Sequence, residues 1–199
     1  MTPLQEVFNA ASMLLPSLVF GYRAIRLWPD PWLTCLLVGG LMHLPVSVSY
    51  HLLSARDGQN QHTDLRKVDQ TMIYLSGVVF AFALSRGSVI YTAMNSCYDA
   101  YAVCALWRGK HKRQWIHVAG SVFLWLTPMA GHWEHVAAGA AFFGSGVCTI
   151  PEVNRKYLGG WGHSVFHVGV ACTAQWMCSF LVRSPHQPFS PPPPDLNLL

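Results

Sequence analysis

Charged residues are scarce in this sequence. Only 11% of its 199 residues are charged, whereas soluble domains carry about 25%. Hydrophobic residues make up 52% of the chain, and several apolar runs approach about twenty residues, the length that crosses a bilayer. These runs are continuously apolar rather than alternating, which argues against a β-barrel. The composition therefore predicts an all-α, multi-pass membrane protein.

Other features that would indicate a different class are also missing. The six cysteines include no CxxC pair, so a disulfide framework is not indicated. No basic residue precedes the first apolar run, and we therefore expect no cleaved signal peptide. The formal charge of +4 arises from basic residues clustered between apolar runs. That pattern fits anchoring at a membrane surface and predicts no nucleic-acid partner.

Hydropathy and helix-breaking residues predict a bundle of seven transmembrane helices, which forms a single domain over residues 1–182. Residues 183–199 include four consecutive prolines and are predicted to form an extended, disordered tail. The predicted spans are about Val7–Leu27, Trp32–Leu53, Val68–Ser85, Gly87–Trp107, Trp115–Ala130, His132–Ile150 and Trp161–Leu181.

The distribution of basic residues predicts the orientation of this bundle. Nine basic residues lie in the loops on one side of the predicted membrane, and four lie on the other side. The positive-inside rule therefore places the N-terminus in the cytosol and the proline-rich tail on the opposite side. The nine are Arg56, Arg66, Lys67, Arg108, Lys110, Lys112, Arg113, Arg155 and Lys156, and the four are Arg23, Arg26, Arg86 and Arg183.

Two histidines one helical turn apart lie in the last predicted span. His163 and His167 share a helix face, and this spacing suits two ligands of one metal ion. Ionisable side chains inside a bilayer are costly and are seldom present for packing alone. The predicted topology places His51, near the cytosolic end of the second span, and Asp69, which opens the third span, at the same depth. We therefore predict a metal site formed by His51, His163 and His167.

The residues around this site indicate hydrolytic chemistry. Three imidazoles and one water form a common catalytic zinc site, in which the pKa of the water falls from about 16 to about 7. Asp69 would act as a general base and return the proton to a leaving group. Ser47 lies four residues before His51, on the same helix face, and would orient the water or a ligand. Fe²⁺ and Mn²⁺ are alternatives to Zn²⁺.

Three short motifs occur in a characteristic order. Ser47–His51 has the pattern S-x-x-x-H, Leu65–Asp69 places an aspartate at the start of the next span, and Gly162–Val168 contains H-x-x-x-H. Over residues Pro45–Val170 this order resembles a membrane superfamily that includes the alkaline ceramidases, the progestin and adipoQ receptors and the bacterial hemolysin III proteins. The resemblance implies a seven-helix bundle with a lipid-accessible cavity. It also implies zinc held by the same three histidines, with the aspartate and the serine supporting the bound water.

Simpler roles exist for each of these residues. The two histidines of the last span could bond neighbouring helices, the aspartate could cap a helix N-terminus, and the serine could bond its own backbone. His43, two turns before His51, is expected to serve packing, and Asp99 is expected to be a structural carboxyl. A second polar cluster, formed by His132, Glu134 and His135, is expected to lie at the membrane interface.

Three functions fit these observations. The first is a zinc-dependent hydrolase of a lipid amide or ester bond, with its substrate drawn from the bilayer. The second is a non-enzymatic receptor or membrane-remodelling protein that keeps zinc as a structural element. The third is a small transporter that uses His43, Asp99 and the histidine cluster as a proton relay, although no paired broken helices or inverted repeat support it.

Overall fold

The computed structural model describes residues 1–58, 61–109 and 114–184. Within these ranges the chain is all-α, with nine α-helices, a short 3-10 helix at Thr127–Met129 and no strand. The helices are α1 (Pro3–Ser12), α2 (Leu14–Arg26), α3 (Pro31–Asp57), α4 (Thr63–Leu84), α5 (Val89–Trp107), α6 (Gln114–Leu126), α7 (Trp133–Val147), α8 (Pro151–Tyr157) and α9 (Gly162–Arg183).

Three of these helices, α3, α4 and α9, are long and apolar enough to cross a membrane. The pair α7 and α8 would provide a fourth span, but their axes bend by 74° at the break between them. α1, α2 and α6 have only 10 to 13 residues, which is shorter than the roughly 20 residues that a single helix needs. The structure thus indicates a membrane-embedded protein with three to four spans by this criterion, and the seven-span topology stays a prediction.

The first predicted span is divided at Met13 into α1 and α2. Pro16 explains the division, because a proline has no N–H for the carbonyl four residues earlier, here that of Ser12, and its ring collides with that carbonyl. α1 itself begins with a capping box. The Thr2 hydroxyl accepts from the Gln5 backbone N–H at 3.3 Å, and Gln5 Oε1 accepts from the Thr2 N–H at 2.8 Å.

The helices pack in two groups that share α3. α9 contacts α1, α2 and α7, while α4 contacts α5 and α6, and α3 contacts members of both groups. The apolar core lies at one end of the bundle, where α3 begins with Leu33 and Leu36, α4 ends with Leu84 and α9 ends with Leu181. The opposite end contains the start of α1, the end of α3 and the starts of α4 and α9. That end carries the buried polar side chains described below.

Close packing fixes the position at which α9 begins. A Cβ atom at Gly162 would lie 1.8 Å from the carbonyl oxygen of Cys148, so only glycine permits this approach. Gly160, in the preceding turn, has a φ of +96°, which favours glycine. A Cβ there would lie 2.5 Å from Gln5 Nε2. α1 and the turn before α9 are therefore in direct contact just ahead of His163.

The far end of α9 is held by an arginine. Arg86, in the turn between α4 and α5, donates from Nη2 to the carbonyl oxygen of Leu181 at 2.9 Å and to that of Ser184. These are carbonyls that the end of a helix leaves without intrahelical partners. The proline-rich tail predicted from residue 183 onward lies outside the described residues from position 185, as do the basic residues at positions 110–113.

Candidate metal centre

Three histidine side chains converge at the polar end of the bundle. His51 comes from the last third of α3, while His163 and His167 come from the first two turns of α9. The ring centroids of His163 and His167 are 4.5 Å apart, and that of His51 lies 5.1 Å and 5.8 Å from them. One ligand nitrogen from each histidine lies within 4.8 Å of the other two. The three predicted metal ligands therefore form one group that could bind a metal ion.

The donor set of this group suits a transition metal. His51 and His167 are buried, with exposed fractions of 2% and 4%, and His163 is half-buried. Imidazole nitrogens favour zinc, copper, iron and nickel over magnesium or calcium.

Two side chains of α1 form hydrogen bonds with Nδ1 of the rings of His51 and His167. Glu6 Oε2 lies 2.7 Å from His51 Nδ1, and because a carboxylate only accepts, this nitrogen carries the proton. Ser12 Oγ lies 2.7 Å from His167 Nδ1 and donates its own proton to the carbonyl oxygen of Asn9 at 3.0 Å. The Ser12 hydroxyl therefore accepts from Nδ1–H. Both rings keep Nε2 for a metal ion, which is how metal-binding histidines are generally oriented.

Asn9 connects this support to α9. Ser164 Oγ donates to Asn9 Oδ1 at 2.6 Å, and Asn9 Nδ2 donates to Glu6 Oε2 at 3.4 Å. Asn9 and Glu6 are each 1% exposed. The sequence analysis missed Glu6, Asn9 and Ser12 as site residues. Their signal was available, because the three polar side chains recur at every third position of an apolar segment and so lie on one side of a helix.

Asp69 is bonded to a fourth histidine and interacts electrostatically with His51 and His163. Its Oδ1 atom is 2.9 Å from His43 Nε2, and the Ser47 hydroxyl lies close to the same carboxylate. His43, which was expected only to pack, shares the inward face of α3 with Ser47 and His51. α4 begins at Thr63, so Asp69 lies in its second turn and is not an N-cap. Asp69 is thus linked to His43 and Ser47 of α3, and the supporting roles of Asp69 and Ser47 stay predictions.

An apolar groove lies on the outer surface of the bundle, between α1–α2 and α9. Its first part has a volume of about 380 Å³. Beyond Leu15 and Val168 it adjoins a second groove of about 500 Å³ along α2 and α9. Ser12, whose hydroxyl is bonded to His167, lines the first part. The groove is therefore separated from His167 by Ser12, and none of the three histidines lines it.

The second polar cluster lies at the other end of α9. Arg183 Nη1 donates to Glu134 Oε1 at 3.3 Å, and the Glu134 side chain is 3% exposed. The ring of His132 packs edge-on against Phe180, with centroids 5.0 Å apart. These contacts join α7 to the end of α9 and are structural in kind.

The chain matches no family model, no curated protein and no solved structure. Its membership of the ceramidase and receptor superfamily therefore stays a prediction from the three motifs. Function has to be inferred from the side chains of the site and the groove beside it.

Replacing Glu6 by glutamine is expected to weaken zinc binding about 10- to 100-fold, the usual effect of losing a carboxylate behind a metal-binding histidine. Glutamine keeps the volume of the side chain but removes the charge that holds His51 Nδ1–H. Competition with a chelator of known affinity measures the change. Glu152→Gln, on the exposed surface of α8, removes the same charge elsewhere and should have no effect. Unchanged affinity in E6Q would mean that Glu6 does not support the ligand.

Proposed function

We propose that the protein is an integral-membrane, zinc-dependent hydrolase that cleaves an amide or ester bond of a lipid. The observation that carries the proposal is the arrangement of the histidine group. Two of its three rings are hydrogen-bonded through Nδ1 to Glu6 and Ser12, and a buried carboxylate of α4, Asp69, interacts electrostatically with His51 and His163. Histidine ligands whose second ring nitrogen is hydrogen-bonded, together with a nearby acid–base residue, are typical of hydrolytic zinc centres.

Each residue of the centre then has a separate task. His51, His163 and His167 would hold Zn²⁺, which supplies Lewis acidity and makes water a better nucleophile at neutral pH. Asp69 would accept the proton of the attacking water and pass it to the leaving group, as a general base followed by a general acid. His43 fixes the Asp69 Oδ1 atom at 2.9 Å, and the Ser47 hydroxyl contacts the same carboxylate.

The substrate class follows from the lateral groove. Its lining is mostly apolar, with Leu15 and Val168 where the two parts meet and Ser12 near the histidines. On a protein embedded in a membrane, such a groove suits an acyl chain that enters sideways from the bilayer. The bond between the chain and the headgroup would then lie at the histidine group. An amide or an ester is the carbonyl bond that a lipid presents at this position.

The proposal includes the topology predicted from the sequence. α1 and α2 would form one broken span and α7 the sixth span, with α8 in the polar connector before α9, which gives seven spans with the N-terminus in the cytosol. The starts of α4 and α9 would then lie on the cytosolic side, so the histidine group is close to the headgroups of the inner leaflet. Membership of the ceramidase and receptor superfamily, which the order of the three motifs suggests, is part of the same proposal.

The direct test is release of fatty acid by the purified protein. Vesicles that contain either a ceramide or a diacyl phospholipid separate amide from ester substrates, and mass spectrometry measures the free fatty acid. We expect release from one class, loss of release after treatment with a chelator, and recovery with added Zn²⁺. If zinc-loaded protein releases no fatty acid from either class, the hydrolase proposal fails. A receptor or remodelling protein with a structural zinc would then account for the site.

A further inference from the structure

Two arginines near the end of α2 lie beside the second groove, the one that runs along α2 and α9. Arg23 donates from Nε to Oε1 of Gln175 at 3.3 Å. The guanidinium of Arg26 lies over the ring of Tyr22, 5.2 Å from its centre. Gln175 and Tyr22 both line the second groove. Both cationic side chains are therefore in contact with residues of the groove wall.

These two charges have no acidic partner within the described ranges. Arg86 and Arg183, at the same end of the bundle, bind carbonyl oxygens of the α9 end and a buried carboxylate of α7 respectively. Arg23 and Arg26 take part in none of the ion pairs in this part of the chain. Asp30, which follows α2, accepts instead from two backbone N–H groups at the start of α3. Two uncompensated cations beside an apolar surface indicate an anionic ligand.

The groove itself suits a hydrocarbon chain. It extends from the arginines towards Leu15 and Val168, and its volume of about 500 Å³ is within the roughly 300–1,000 Å³ of small-molecule sites. Leu18, in its wall, is 62% exposed, so the groove opens to the outside of the bundle. A guanidinium binds phosphate well, because it can donate two parallel N–H bonds. A ligand with a phosphate at one end and an acyl chain at the other matches both features.

We propose that the second groove binds an acyl chain of an anionic phospholipid, whose phosphate contacts Arg23 and Arg26. A zwitterionic headgroup carries a cation of its own and compensates the two arginines less well. Gln175 follows His167 by about two turns of α9, or about 12 Å along the helix axis. The ester bonds of this lipid are close to its phosphate and therefore remain away from the histidines. The lipid is held and not cleaved, and the site depends neither on zinc nor on the proposed hydrolase.

Quenching of Trp176 by brominated lipids tests the site, because this side chain also lines the second groove. Purified protein in detergent micelles is titrated with phosphatidylglycerol or phosphatidylcholine that carries bromine on its acyl chains. Subtracting the signal of Trp176→Phe isolates the fluorescence of this tryptophan. Each arginine should favour the anionic lipid about fivefold, so phosphatidylglycerol should quench at a concentration about 25-fold lower. Equal quenching by the two lipids would overturn the proposal.

Variants separate the headgroup contact from the chain contact. Arg23→Gln and Arg26→Gln should each reduce the preference about fivefold, and the double variant should remove it. Arg155→Gln, on the exposed surface of α8, removes the same charge elsewhere and should retain the full preference. Cys172→Phe fills the groove from an exposed position and should reduce quenching by both lipids. A preference that persists in the double variant, or full quenching in C172F, contradicts the site. Arg26 is exposed, so R26Q decides the headgroup contact if R23Q does not fold.

Discussion

Replacing His167 by alanine is expected to lower the zinc content of the purified protein from about one ion per chain to nearly none. A zinc centre in a protein generally needs at least three protein ligands, and this change leaves two. His167 is also the ring that Ser12 orients through Nδ1 at 2.7 Å, so the change removes a contact between α1 and α9 as well. Elemental analysis by mass spectrometry, on protein purified in parallel with wild type, measures the ratio.

The matched control for this change is His135→Ala. His135 lies on α7, in the cluster near the end of α9, and is half-buried. The same substitution there should leave the zinc content at the wild-type value. His51→Ala and His163→Ala should behave like H167A, because the three nitrogens serve one ion. Near-stoichiometric zinc in folded H167A would show that the metal binds elsewhere or that the three histidines have another role.

The convergence of the histidines could be predicted from sequence because it depends on only two conditions, the spacing of the histidines and the number of membrane crossings between them. A spacing of four residues places His163 and His167 on one helix face. Their meeting with His51 requires only that an even number of crossings separates the start of α4 from the start of α9. This requirement tolerates errors in the helix ends and in the division of the first span. The three histidines form one group in the structure, in which three to four helices meet the criterion for a membrane span.

The side chains that form hydrogen bonds with the histidines could not be predicted in the same way. Hydropathy is averaged over a window of about twenty residues. The average is dominated by apolar neighbours and therefore does not reveal Glu6, Asn9 and Ser12. Pro16 was recognised as an interruption, but its effect, a separate α1 between α3 and α9, depends on packing. The bond between His43 and Asp69 depends on the rotation of α3 against α4. Periodicity defines the face of each helix but not which faces meet.

Replacing Asp69 by asparagine is expected to leave the zinc content unchanged and to lower lipid turnover by about 10²- to 10⁴-fold, the usual contribution of a general base. Asparagine has nearly the same shape and can still accept a hydrogen bond from His43, but it cannot take up a proton. Asp64→Asn, an exposed carboxylate one turn earlier on α4, is the matched control and should retain full turnover. Fatty-acid release and metal content are measured on the same preparations.

The combination of the two measurements distinguishes the candidate functions, since a metal centre can be either catalytic or structural. In a hydrolase the metal ligands and the acid–base group are different residues. H167A should therefore lose both zinc and turnover, whereas D69N should lose turnover alone. Ser47→Ala should lie between wild type and D69N, because it removes one contact to the carboxylate and keeps the proton acceptor. If D69N and S47A retain both zinc and full biological activity, Asp69 is not a catalytic residue. The histidine group would then serve to hold α1, α3 and α9 together in a receptor or remodelling protein.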